Sequence, residues 1–325
     1  MRILVTGGSG FIGTHFIELV RKESPSSEVC NVDVAPPKLP EHLPLWIQGD
    51  ILNPDRLLDI FREFRPTHVV HMAARTDTYG TELEDYNVNT KGSANVISAI
   101  KQSGSVERII FVSTQYVVGP GPIATSNRDH RPHTVYGQSK CVMETMIYDD
   151  ASLPPWTIVR PTNIWGSWHP RYSQEFWLVL KKGRYVHPGG KPVRRAYGYV
   201  GNIVEQMWQV FKLENALVEG KVFYVGDPVD DIVKWVTAFS LELTGRGPRV
   251  APRFVLRSIA VVGDIAVKMG LRFPLFTTRY RSMTQDYVVD MEPTFRALGK
   301  PRYSVEEGAR LTSQWLKTQG EVWRH

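Results

Sequence analysis

Apolar and polar positions in the first half of the chain follow two alternating rhythms. Short, nearly continuous apolar runs, RILVT (2–6), EVCNVD (28–33), LWIQGD (45–50), THVVHMA (67–73), RIIFVST (108–114) and WTIVRP (156–161), carry the β-branched enrichment of buried strands. Between most of them, apolar residues recur three and four positions apart at 11–23, 54–64, 80–103 and 135–149, which predicts amphipathic helices. Strands apolar on both faces need cover on both faces. The alternation therefore predicts an α/β fold built on a doubly wound parallel sheet.

After Pro161 the rhythm loosens into segments rich in tryptophan, glycine and proline. RAYGYV (195–200) and KVFYVGD (221–227) resume the strand pattern and are expected to return to the main sheet. A second, smaller C-terminal unit would then be interleaved with the first: 1–165 and returns near 195–227 in one, 166–194 and 228–325 in the other. The longest apolar stretch, 254–276, is interrupted by Arg257, Asp264, Lys268 and Arg272, so it falls short of a membrane span. It predicts an amphipathic helix packed on the protein's own core, with a membrane-surface helix as the other reading. Trp165, Trp168, His169, Tyr172 and Trp177 crowd into 163–180, either as core of the second unit or as a substrate-facing wall.

A chain of 325 residues exceeds what one hydrophobic core usually spans. Its 39 basic and 33 acidic residues leave a formal charge of +6, which suits handling an anionic small molecule and is too mild to argue for nucleic acid. The basic run 181–195 holds Lys181, Lys182, Arg184, Lys191, Arg194 and Arg195 and no acid; it reads as a solvated face, or as an anion contact for one or two members. Cys30 and Cys141 make neither a disulfide framework nor a CxxC pair, which fits a reduced cytoplasm. The first strand starts almost at Met1, so no signal peptide is expected. His68 with His71 and His130 with His133 form two HxxH pairs lacking partners at ligand spacing, so no metal is expected.

The chemistry begins in ILVTGGSGFIGTHF. Gly7, Gly10 and Gly13 follow a strand and open a helix, where a tight turn lets backbone N–H groups approach a pyrophosphate at the positive end of the helix dipole. Asp33 ends the second strand and can accept the ribose hydroxyls of a dinucleotide; it would repel the extra phosphate of NADP, which favours NAD. This is the Rossmann arrangement. Gly49-Asp50-Ile51 closes the next strand, where Asp50 could meet the adenine amino group and Ile51 its ring, or form a helix-capping turn.

TVYGQSK places Tyr136 four positions before Lys140, one helical turn and about 6 Å of rise apart on one face. A nearby ammonium favours the phenolate, so Tyr136 could exchange a proton with a substrate hydroxyl while hydride moves between the same carbon and a nicotinamide. Thr114, at the carboxyl edge of its strand, could orient the reacting oxygen. Arg75, after HMAA, could face the pyrophosphate or the substrate, or cap the rim.

With these residues in place the sequence resembles the extended short-chain dehydrogenase/reductases, which include nucleotide-sugar epimerases and dehydratases. The matching motifs are TGGSGFIG (6–13), Asp33, Gly49-Asp50-Ile51, HMAA (71–74), NTKGSAN (89–95), VSTQYVVG (112–119), YGQSK with Glu144, RPTNIWG (160–166) and RAYGYV, in family order. The resemblance implies a catalytic Thr114, Tyr136 and Lys140, with Lys140 also on the nicotinamide ribose. It implies Gly7, Gly10, Phe11, Ile12, Gly13, Asp33, Asp50, Ile51, Ala73 and Ala74 around NAD, and Asn89 as a structural asparagine behind that site. Arg75 joins as a candidate substrate contact, and Asn163 and Arg195 match positions that commonly touch a sugar or its diphosphate. Gln115-Tyr116 stands where the family's sugar 4,6-dehydratases carry Asp-Glu, which disfavours water elimination. The segment around 273–290 lacks the Arg-Pro-Gly-Asp diphosphate motif and looks more like the 3β-hydroxysteroid dehydrogenase branch. The expectation is a cytoplasmic, homodimeric, NAD-dependent enzyme acting on a secondary alcohol, most simply a nucleotide-sugar 4-epimerase or keto-reductase. A 3β-hydroxysteroid-type dehydrogenase and a non-catalytic NAD-binding sensor are the alternatives.

Overall fold

The computed structural model describes residues 1–271, 273–320 and 323. Its strands are β1 (Arg2–Thr6), β2 (Glu28–Asp33), β3 (Trp46–Gln48), β4 (His68–His71), β5 (Arg108–Val112), β6 (Trp156–Pro161), β7 (Asn163–Trp165), β8 (Val186–Pro188), β9 (Arg194–Arg195), β10 (Tyr197–Tyr199), β11 (Lys221–Val225), β12 (Asp230–Asp231) and β13 (Arg249–Ala251). The helices are α1 (Phe11–Glu23), α2 (Pro54–Phe64), α3 (Ser93–Ser103), α4 (Val135–Asp149), α5 (Leu178–Lys181), α6 (Val200–Lys212), α7 (Asn215–Val218), α8 (Ile232–Thr244), α9 (Arg253–Lys268), α10 (Thr277–Thr284), α11 (Glu292–Leu298) and α12 (Val305–Leu316).

Seven strands form one parallel sheet in the order β11-β6-β5-β4-β1-β2-β3. Successive residues serve opposite faces, as the period of two requires. Ile3, Val5, Val70, Ile110 and Val159 point into a core shared with α1 and α6, through Phe16, Ile17, Ile203 and Phe211. Leu4, Val69, Ile109, Phe111 and Ile158 point into a second core with α2, α3 and α4, through Phe61, Ile100 and Met143. Each such fully buried side chain contributes ~1.5–3 kcal/mol. Both faces are covered, which explains why these strands read as continuous apolar runs. The chain moves outward from β1 through β2 and β3, then crosses back to β4 on the other side of β1. The crevice at the carboxyl ends of β1 and β4 is the switch point where open α/β sheets bind ligands.

Three expectations need correction. RAYGYV does not return to the main sheet. Tyr197–Tyr199 pairs in parallel with β7, and Arg194–Arg195 pairs antiparallel with β12, because β6 already has β5 on one edge and β11 on the other. KVFYVGD does return, as β11. The single helix expected over 80–103 is broken into a 3-10 turn (Leu83–Tyr86), a π turn (Val88–Gly92) and α3. A Cβ at Gly92 would lie 2.6 Å from Ile51 Cδ1, so glycine lets the π turn sit on that side chain. Lastly, α9 is not packed broadly on the core: only Leu256, Ala260 and Gly263 are buried. Gly263 explains the narrow seat, since any Cβ there would collide with the Leu275 carbonyl oxygen. Of the residues that interrupt this stretch, Arg272 lies outside the described residues. No helix among the described residues is long and apolar enough to cross a membrane.

Candidate active site

The glycine turn sits at the β1/β4 crevice. Gly7 has φ +78°, and a Cβ on it would stand 2.6 Å from the Ala73 backbone nitrogen, so the turn and the end of β4 meet with no room for a side chain. A Cβ on Gly13 would stand 2.5 Å from the Gly7 carbonyl oxygen, which brings α1 tight against the turn. Gly10 caps α1 without any side-chain hydrogen bond, so no side chain occupies the helix N-terminus formed by Phe11, Ile12 and Gly13. Asp33 binds the same turn: Ser9 N–H donates to Oδ2 and Ala35 N–H to Oδ1, each at 3.0 Å. Each carboxylate oxygen keeps a lone pair for a ribose hydroxyl. Uncapped helix amides, a side-chain-free approach and an anchored carboxylate fit a dinucleotide. Ala73 and Ala74 are half-buried beside Gly7.

Asp50 and Ile51 do local work. Asp50 Oδ1 accepts from Leu52 N–H (2.8 Å) in the turn before α2, whose cap is Asn53, accepting from Arg56 N–H at 3.1 Å. Ile51 is buried in the second core, and its carbonyl accepts from Asn95 Nδ2 at 2.9 Å. Asn89 lies in the π turn, fully buried. Its amide accepts from Arg75 N–H (2.8 Å) and donates to the Arg75 carbonyl and Ser139 Oγ, both 2.9 Å, so it ties the end of β4 to α4. The Arg75 guanidinium turns to Asp77 (2.8 Å), the Asp85 carbonyl (2.8 Å) and the face of Tyr86.

Thr134 caps α4, its hydroxyl accepting from Gly137 N–H at 3.0 Å, and so places Tyr136 and Lys140 on consecutive turns facing the end of β5. Tyr136 is 6% exposed and Lys140 1%. Lys140 Nζ donates to the Val112 carbonyl at 2.9 Å, directly before Ser113 and Thr114. Thr114 lies beside Tyr136, so sheet end and helix bring the three residues together. Burial pushes the Tyr136 phenol well above its usual range, and the Thr114 hydroxyl only partly opposes this. Burial also lowers Lys140, to about 8, against the pull of Glu144. The expected direction, an ammonium pulling the phenol down, is thus overridden by burial. Both groups have lost water, and the ammonium is held by the strand-end carbonyl. Tyr136 stands protonated.

Beyond Tyr136 the surroundings are aromatic. Tyr116 meets it edge-on at 6.1 Å and stacks on Tyr287 at 6.2 Å. Farther on, Trp235 packs against Tyr197 (4.7 Å) and Phe176 (4.5 Å). Arg195 lies among these rings, 5.8 Å from the Tyr287 centroid, with Nη1 donating to the Ser282 carbonyl and Nε buried without a hydrogen-bond partner among the described residues. Asn163 is half-buried on β7, where its N–H donates to the Ala196 carbonyl at 3.4 Å. Lys182, Arg184, Lys191 and Arg194 of the basic run are exposed. Trp165 and Trp177 are fully buried core residues, which settles those two for packing.

Two features had no role assigned from sequence. Glu144 and Arg160 form a buried ion pair, Nη2 to Oε2 at 2.6 Å and Nε to Oε1 at 2.9 Å, joined by His130 Nε2 at 2.8 Å. Burial works to raise Glu144, but its bonds to Arg160 and His130 prevail and hold it at about 2. Tyr287 places its hydroxyl 2.9 Å from the Gln115 carbonyl and 2.5 Å from that of Val118, bracing the turn after Thr114. Its separation of 172 positions from Gln115 leaves no local signal. Two other HxxH histidines are engaged: His71 bridges Thr6 (2.8 Å) and Ser93 (2.9 Å), and His133 meets Tyr116 edge-on.

Known proteins share the fold that carries this site. The mouse 3 beta-hydroxysteroid dehydrogenase type 7 is 25% identical, covering 97% of this chain and 95% of its own. The Escherichia coli O157:H7 N-acetyl-alpha-D-glucosaminyl-diphospho-ditrans,octacis-undecaprenol 4-epimerase is 29% identical, covering 96% and 94%. The UDP-glucose 4-epimerase of Thermus thermophilus, solved with NAD, superposes with a TM-score of 0.69 at 26% identity over 96% of this chain and 97% of that one. The Thermotoga maritima UDP-glucose 4-epimerase superposes at 0.75 over 99% and 100%, with 23% identity. The model of the NAD dependent epimerase/dehydratase family matches residues 3–226, from β1 through β11 and all of the site's core, and the chain belongs to that NAD-dependent family.

Proposed function

We propose that the protein is an NAD-dependent oxidoreductase that moves hydride at a secondary alcohol of a diphosphate-linked sugar, as a 4-epimerase or 4-keto-reductase. The observation that carries this reading is the buried meeting of Thr114, Tyr136 and Lys140 at the sheet's carboxyl edge, with the Arg195 guanidinium against the ring of Tyr287 in the adjoining aromatic cluster. Bound NAD would supply hydride exchange; Gly7, Gly10, Gly13 and Asp33 would hold its diphosphate and ribose.

The protein's part is proton movement and orientation. A protonated Tyr136 can give its hydrogen to a carbonyl oxygen as that carbon is reduced, while Thr114 orients the oxygen. Lys140, charged at neutral pH with its pKa near 8, lowers the cost of the phenolate that remains. In the oxidative direction the phenolate takes the alcohol proton back, and an epimerase would use both directions in turn. Arg195 would meet a phosphate with its guanidinium. The absence of a carboxylate at Gln115 and Tyr116 leaves no acid–base pair for water elimination. The reading extends to a cytoplasmic homodimer joined through α3 and α4.

A second reading, a 3β-hydroxysteroid-type dehydrogenase, is favoured by one observation: the rings of Tyr116, Tyr287, Tyr197, Phe176 and Trp235, packed in a cluster next to Tyr136, offer the chemistry that suits a flat apolar body. The test is absorbance at 340 nm with NAD or NADH, a panel of nucleotide-sugars and their 4-keto forms, and a hydroxysteroid. Isomerised sugar without net absorbance change marks the epimerase. Tyr136→Phe should lower kcat about 100- to 10,000-fold while NAD still binds; full activity in that variant removes the proposed acid.

A further inference from the structure

The helix α9 presents to solvent what a helix normally hides. At 100° per residue, Phe254, Val261, Val262 and Ile265 share one arc, exposed by 73, 51, 57 and 57%, and Met269 (72%) and Leu271 (60%) extend it past the helix end. The buried arc is narrow and made of Leu256, Ala260 and Gly263. Asp264 on the inner side is held by Thr277, whose N–H donates to Oδ1 at 2.9 Å, so the helix is fixed with this face outward. Arg257 and Lys268 border the apolar arc, are exposed, and end in no salt bridge among the described residues.

Charge says what covers this face. By sequence, residues 249–281 hold seven basic side chains (Arg249, Arg253, Arg257, Lys268, Arg272, Arg279, Arg281) and one acid, Asp264. That segment's excess equals the whole formal charge of +6, so the remainder of the chain is balanced. A second copy docking here face to face would oppose two such cationic segments. An apolar arc rimmed by basic residues on a helix too short to span fits the interfacial zone of a bilayer with anionic headgroups.

We propose that α9 is a membrane-surface anchor: its apolar arc enters the headgroup region of an anionic bilayer, with Arg257 and Lys268 on the lipid phosphates. The inference is independent of which alcohol the active site takes.

Sedimentation of the full-length protein with vesicles tests it. Binding is expected to phosphatidylcholine vesicles containing phosphatidylglycerol, much weaker to phosphatidylcholine alone, and reduced by 1 M salt. Phe254→Asp with Ile265→Asp should reduce binding at least about tenfold, since both side chains leave the apolar phase. Arg257→Glu with Lys268→Glu should cut it further than about fivefold per residue, the usual weight of one basic group at such a surface. Both variants alter exposed positions, and unchanged circular dichroism and melting show that they fold. No binding to anionic vesicles, or binding indifferent to both variants, overturns the proposal. So does a self-association by light scattering that the Phe254 and Ile265 substitutions abolish, which would assign the face to a second copy.

Discussion

Lys140→Met tests whether the buried ammonium is kept at a cost to stability. The side chain is 1% exposed, and burial lowers its pKa from 10.5 to about 8. The folded state therefore holds this proton less tightly than the unfolded chain by roughly 3 kcal/mol. Below pH 8 both states carry the charge and the folded state bears the whole penalty. Between pH 8 and 10.5 the unfolded chain binds more protons, so stability rises with pH, and above 10.5 the penalty has gone. Methionine keeps the length without the charge but gives up the bond to the Val112 carbonyl, a loss of about 1 kcal/mol. The cofactor-free variant should be about 2 kcal/mol more stable than the parent at pH 7 and about 1 kcal/mol less stable above pH 10.5. Urea unfolding of both proteins across this range reads the difference directly, and groups common to both cancel. A variant already less stable at pH 7, or a difference that does not change with pH, refutes the reasoning. The same variant should lose turnover, the stability gain accompanying a functional loss.

Glu144→Gln removes the negative charge of a fully buried ion pair and leaves the Arg160 cation with neutral partners alone, the Asn127 carbonyl (2.7 Å) and the Tyr224 hydroxyl (3.3 Å) among them; denaturant unfolding should show a loss of about 3–5 kcal/mol. Tyr287→Phe deletes the hydroxyl shared between the Gln115 and Val118 carbonyls. Stability should fall by about 1–2 kcal/mol, and kcat should fall with it because Thr114 hangs on that turn, whereas NAD affinity should not change.

What could be read from sequence was what is local. Strands β1, β2 and β6 and helices α1, α2 and α4 agree residue for residue with the apolar rhythm, because burial on two faces or one leaves a periodic record. The glycine turn and Asp33 were legible for a similar reason: the conformation and the capping they perform involve residues a strand apart. Misreadings came where a segment's fate depends on partners elsewhere. Residues 197–199 have strand-forming side chains, yet which edge they join was decided by β11 having taken the edge of β6. The helix α9 has an apolar periodicity that says nothing about whether the covering surface belongs to the same molecule. The phenol of Tyr136 was judged by its nearest cation, while its environment is dominated by lost water, which spacing does not reveal. Tyr287 was unreadable in principle, since its partners are backbone carbonyls and carry no side-chain signature.

The position of β11 bears on how the chain is made. Until residue 225 has left the ribosome, β6 presents an open row of backbone N–H and C=O groups along a nearly finished parallel sheet. The starts of the two strands, at Trp156 and Lys221, lie far enough apart that the nascent chain carries this sticky border for several seconds at ordinary elongation rates. Fragments ending before β11 should therefore clump.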